Sequence, residues 1–152
     1  MPPTDRPGPV QPTESVYRRI NVCYYSRNNE LSVSPQAFKP TGDDEYGISV
    51  VRTDFTSKPA DALCRVDVNK LNSYHVASIP VQEFITLSLS VVEDALLGEP
   101  DLPDVPGHAL VSELNTIAYR SRKQEMLDKM VELAKIASRN IVHSPPDAMS
   151  PT

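Results

Sequence analysis

Four residues of this chain have side chains that could do chemistry on an anionic substrate. Arg18 lies in YRRI, Ser49 in GISV, His108 in PGHALV and Glu113 in LVSEL. A guanidinium can hold a phosphate or carboxylate through paired N–H groups. A serine can orient a sugar or attack. A histidine or glutamate can move a proton, provided another group orients it and a substrate proton lies within reach. Arg18 draws attention for a second reason. Period-two alternation through VYRRINVCYY puts it on the same strand face as Val16, Ile20 and Val22. A guanidinium on an apolar face costs free energy unless it is paired. It must therefore meet a carboxylate such as Glu113, extend its head to water, or hold an anion.

The order Arg, Ser, Glu resembles that of ADP-ribosyltransferase-like folds. These use an Arg or His on an early strand, a Ser or Tyr on a middle strand and often a Glu on a late one. The resemblance implies an enzyme acting on NAD or another phosphorylated small molecule through Arg18, Ser49 and Glu113 or His108. The Ser-Thr-Ser and Q/E-x-E runs of that class are missing. His108 also has a simple structural alternative: Pro106 and Gly107 make a turn, and His108 opens a strand on the face of Leu110. The chain contains no G-x-S-x-G elbow, no HExxH, no glycine-rich phosphate loop and no paired Cys/His spacing. No metal or cofactor is expected.

A second resemblance is carried by YRRI, SPQAFKP, GISV and PGHALV, spanning about 17–112. It is to a group of small uncharacterised bacterial proteins. It implies no activity. It does imply a bacterial, cytoplasmic protein, and it puts the candidate binding surface on the AFKP–GISV segment. Phe38, Lys39 and Ser49, together with Arg18, are the binding residues it points to.

These residues need a scaffold. The 152-residue chain fits one domain with tails. Pro2, Pro3, Pro7, Pro9 and Pro12 crowd one end, and Pro145, Pro146 and Pro151 the other. Both ends are poor in apolar side chains, so residues 1–14 and 143–152 are expected to be disordered tails around a domain at 15–142. Strands are expected at 16–25, 47–52, 74–80, 87–92 and 108–114. SRNNE (26–30) reads as a turn. Ser34-Pro35 starts one helical turn that points Ala37 and Phe38 inward. A short helix is expected at 57–66. EDALLGEPDLPDVPG (93–107) is an acidic connection.

The last element is a long amphipathic helix. It starts at the Ser121/Gln124 capping pattern or earlier, near Thr116. Met126, Leu127, Met130, Val131, Leu133, Ala134 and Ala137 form its stripe. The resulting class is α+β: a curved, mostly antiparallel sheet of about five strands with this helix across one face.

A net charge of −5 argues against a dedicated nucleic-acid binder, although Arg120, Arg122 and Lys123 form a local basic group. No apolar run is long enough to span a membrane, and no secretory leader is visible. Cys23 and Cys64 fit reduced cytoplasmic thiols. The leading expectation is thus a small accessory protein without catalytic activity that binds another protein. Self-association through the C-terminal helix is a further expectation.

Overall fold

The computed structural model describes residues 7–27 and 31–146. Among the described residues six strands form one open sheet: β1 (Ser15–Asn21), β2 (Ile48–Arg52), β3 (Tyr74–Pro80), β4 (Val91–Glu93), β5 (His108–Val111) and β6 (Ile141–His143). Their order is β4-β5-β2-β1-β3-β6, and every neighbouring pair is antiparallel. Among the described residues three α-helices accompany them: α1 (Val81–Thr86), α2 (Thr116–Ser121) and α3 (Lys123–Ser138). The class is α+β, with the long helix near the C-terminal end, as expected.

Alternation along the strands builds the main core. Val16 and Ile20 on β1, Ile48 and Val50 on β2, Ala77 and Ile79 on β3, and Ala109 and Val111 on β5 point to one face. α3 covers that face with Met126, Met130, Leu133, Ala134 and Ala137, all fully buried. The stripe is rotated slightly from the expected one, since Leu127 and Val131 are only partly buried. It packs within its own chain. The opposite sheet face is smaller. Tyr17, Val51, Val76 and Tyr74 meet Ala62, Leu63 and Val66 there. The Leu63 segment is a 3₁₀ helix (Pro59–Leu63), where a short helix was expected at 57–66.

Several expectations change. β1 stops at Asn21, because the Asn21 side chain accepts a bond from the Cys23 amide and starts a 3₁₀ turn. The expected strand at 87–92 shrinks to Val91–Glu93. The amides of Leu87, Ser88 and Leu89 are taken by carbonyls of α1, and Ser88 adopts φ +60°. The expected single helix is two, broken at Arg122 (φ −131°, ψ 49°). Asn115 caps α2 by accepting from the Ala118 amide. Ser121 does not cap α3; its hydroxyl donates to the Ile117 carbonyl. The turn expected at 26–30 lies mostly outside the described residues.

The tail expectation changes most. Residues 1–6 and 147–152 lie outside the described residues, but within 7–14 and 143–146 the chain is tied to the sheet: Val10 packs against the main core and Ser144 bonds His75. Glu14 is buried and takes two 2.7 Å hydrogen bonds from Arg52 Nε and Nη2. Arg52 also donates to the Gly8 carbonyl at 2.8 Å. β6 adds His143 to the sheet opposite Val76. Composition alone pointed to tails because these segments contribute charge and backbone pairing to the fold, with few apolar side chains.

Candidate binding cleft

β1 and β2 pair at Val16↔Arg52 and Tyr17↔Val51, and the ladder goes no further. Arg18 occupies the next position. Its Nη1 donates to the Ser49 carbonyl at 2.9 Å. Its Nη2 and Nε donate to the Ala37 carbonyl at 2.8 and 3.3 Å. The side chain thus ties β1 to β2 and to the 3₁₀ turn Pro35–Phe38, whose Ser34 cap accepts from the Gln36 amide. Three of its five N–H groups are used this way, which leaves two. Among the described residues no carboxylate lies within ion-pair distance of it.

Burial, helped by the neighbouring Arg19 charge, pushes the Arg18 pKa down to about 10, so it remains a cation at neutral pH. Neither expected account of Arg18 is complete. It pairs with main-chain oxygens, not with Glu113, and part of its hydrogen-bonding capacity is left over.

Above Arg18 opens a cleft of about 900 Å³. Arg18, Arg19, Lys39 and Arg120 supply four cationic side chains to its lining, against Asp43 and Asp44. Asp44 is engaged locally, accepting from the Thr41 amide and hydroxyl at 2.8 and 3.1 Å. Tyr24, Tyr74 and Tyr119 complete the aromatic part of the lining. Two of these rings already carry cations: Arg19 lies 5.5 Å from the Tyr74 centroid and Lys39 5.5 Å from that of Tyr119. Gly47 helps set the position of β2. It has φ +126°, and a Cβ there would strike the Val111 carbonyl.

Of the residues singled out from sequence, Arg18, Lys39 and Ser49 line this cleft. Phe38 does not. It is fully buried in the main core, with the Arg18 guanidinium 5.9 Å from its ring centroid. Its neighbour Lys39 is exposed, since the 3₁₀ turn directs the two side chains apart.

His108 and Glu113 lie elsewhere, so the Arg18–Ser49–His108–Glu113 constellation is not assembled. His108 Nδ1 is 3.1 Å from both the carbonyl and a carboxylate oxygen of Asp94. That carboxylate could orient a catalytic imidazole, but among the described residues no hydroxyl or thiol bonds its other nitrogen. Glu113 accepts from the Ser90 amide at 2.6 Å and the Ser90 hydroxyl at 2.8 Å. Burial works to raise its carboxyl pKa, but these bonds and one from Ser112 outweigh it and hold the group below the usual range. It is a structural clamp between β5 and the segment leading to β4. Among the described residues no three His, Cys, Asp or Glu side chains are placed to hold a metal ion.

The basic group at 120–123 divides. Arg120 lines the cleft, while Arg122 lies 3.6 Å from Glu125, and Lys123 lies 5.9 Å from the Tyr119 centroid. Sequence reasoning missed Arg19, Tyr74 and Tyr119 as cleft residues. The doubled Arg in YRRI was the one available signal, because successive strand residues point to opposite faces and only a break in the ladder brings both to one opening. Among the described residues no helix is long and apolar enough to cross a membrane. The chain matches no protein-family model, no curated protein and no solved structure, so its function must be read from this geometry.

Proposed function

We propose that this protein is a small accessory protein that works by binding another protein, and that the Arg18 cleft receives an anionic group of that partner. The observation that carries this reading is a guanidinium with unused donors in the lining of a cleft whose cationic side chains, Arg18, Arg19, Lys39 and Arg120, outnumber its acidic ones, Asp43 and Asp44. Such a group attracts carboxylate or phosphate. The charge distribution supports a short anionic feature over a long polyanion: the chain as a whole carries −5, and the cleft is a local exception. Binding without catalysis is favoured because His108 and Glu113 are engaged away from the cleft. The motif resemblance supports a bacterial origin. The free thiols Cys23 and Cys64 support a cytoplasmic location.

The test uses the full chain and short fluorescent Glu-rich and Lys-rich peptides, followed by anisotropy. The Glu-rich peptides should bind, the Lys-rich ones should not, and affinity should fall steeply as salt rises above about 0.15 M. Lys39→Glu and Arg120→Glu, both at exposed positions, should abolish binding without moving the unfolding midpoint. Equal binding of both peptides, or no effect of charge reversal, would sink the reading. So would turnover of NAD or a nucleotide that disappears in Arg18→Lys.

A further inference from the structure

We infer that the anionic group is a phosphate carried on a serine or threonine of the partner, next to an apolar residue. This rests on the binding reading above and names its ligand.

The number and origin of the cations favour phosphate over carboxylate. A carboxylate has two oxygens and one charge, and a single guanidinium fork satisfies it. A phosphorylated side chain has three terminal oxygens and close to two charges at neutral pH. The cleft offers Arg18 and Arg19 from β1, Lys39 from the end of the 3₁₀ turn and Arg120 from α2. The donors thus come from three separate elements, as a tetrahedral group approached from several sides requires. Arg18 is held in place by the Ala37 and Ser49 carbonyls, so its two remaining N–H groups are presented with little further ordering.

A nucleotide fits less well. Tyr74 and Tyr119 each already carry a cation, Arg19 and Lys39, which leaves Tyr24 as the lining ring open to stack on a base.

A neighbouring feature supplies the apolar contact. The Thr116 amide donates to the Asp44 carbonyl, joining two walls of the cleft. Two residues after Asp44 and one after Thr116 in the chain come Tyr46 and Ile117, which are 73% and 68% exposed. They are the two most exposed aromatic or aliphatic side chains on these segments, and neither takes part in the core. A phosphorylated side chain seated on Arg18 would bring its flanking residue to them.

The experiment compares three degenerate pools of short labelled peptides, with phosphoserine, glutamate or serine at the centre and an apolar residue beside it. Each is titrated into the full chain at about 0.15 M salt. The phosphoserine pool should bind at least about tenfold tighter than the glutamate pool, and the serine pool should not bind. Arg18→Lys keeps the charge and removes the fork, so it should lose about tenfold on the phosphoserine pool and weaken the glutamate pool as well. Lys39→Glu, at an exposed position, should lose both while keeping the wild-type urea midpoint. Ile117→Ser should weaken the phosphoserine pool several-fold.

Equal affinity for the phosphoserine and glutamate pools would overturn the phosphate inference and leave the anion-binding function standing. Inorganic phosphate or ATP binding more tightly than the phosphoserine pool would overturn the peptide as its source. Failure of every pool to bind better to wild type than to Lys39→Glu would overturn both readings.

Discussion

Glu14→Ala should destabilise the fold by about 3–5 kcal/mol, the usual cost of removing one partner from a buried ion pair. The structure explains why this position falls in that range. The Arg52 and Glu14 side chains are 4% and 8% exposed and share two bonds of 2.7 Å. Truncation would leave the guanidinium buried with the Gly8 carbonyl at 2.8 Å and the Pro9 carbonyl at 3.4 Å, and no countercharge. The Gln11 amide would also lose its 2.8 Å bond to the Glu14 carboxylate. For a chain of this size, about 1 kcal/mol moves the melting temperature by about 2–4 °C, so the loss should be about 6–20 °C.

Urea unfolding and thermal melts of wild type, Glu14→Ala and Glu14→Gln measure it, and deletion of residues 1–14 should cost at least as much as the alanine variant. The pH dependence gives an independent check. The hydrogen bond from Arg52 holds the Glu14 carboxyl below its ordinary value against the opposing effect of burial. The stabilisation is therefore present above the unfolded pKa of about 4.5 and is lost as pH falls through the lower folded value. The gap between wild type and Glu14→Gln should close on acidification. A loss under about 1 kcal/mol for Glu14→Ala, or free trimming to residue 15, would refute the clasp and restore the tail.

Met130→Ala should cost about 2–5 kcal/mol in urea unfolding and Val131→Ala clearly less, because only Met130 is fully buried against the sheet. The reverse ranking would mean that α3 is rotated from the orientation described. His75 is buried, stacked on Tyr25 at 4.0 Å between centroids, and bonded to the Ser144 hydroxyl at 2.9 Å. Burial, then the proximity of His143 and Arg27, depresses its pKa. Its neutral form is the one that fits, so stability should be intact above the unfolded value of about 6.5 and fall as pH drops below it. His75→Phe should flatten the stability profile between about pH 7 and 5, and an unchanged slope would assign the acid sensitivity elsewhere. Gly47→Ala should cost about 2 kcal/mol or more, since it meets both the positive φ and the Val111 carbonyl. A neutral result in thermal unfolding would show that β2 and β5 can separate at no cost.

What the sequence determined by itself is what depends on neighbours along the chain. Alternation in VYRRIN, GISVVR and YHVASIP pairs Val16 with Ile20, Ile48 with Val50 and Ala77 with Ile79 on one face of their own strand, wherever the strands end up. Ser34-Pro35 makes its turn because a serine cap and a fixed φ act within a few residues. The α3 stripe follows from the helical repeat. Tertiary structure decided the rest. Leu87, Leu89 and Val91 alternate as well as any strand, yet the C-terminal turn of α1 captures the amides of Leu87 and Leu89. β6 is three residues long and acquires meaning only where β3 offers an edge.

The site follows the same division. That Arg18 needs a partner was legible from its strand face. The partners were not, because they are carbonyls of Ala37 and Ser49, and a main-chain oxygen has no signature in sequence. Glu14 and Arg52 stand 38 residues apart, and a count of prolines around Glu14 records only the lack of apolar side chains. A charge pair of that separation forms because the antiparallel register of β1 and β2 sets Val16 opposite Arg52, which only the folded sheet fixes.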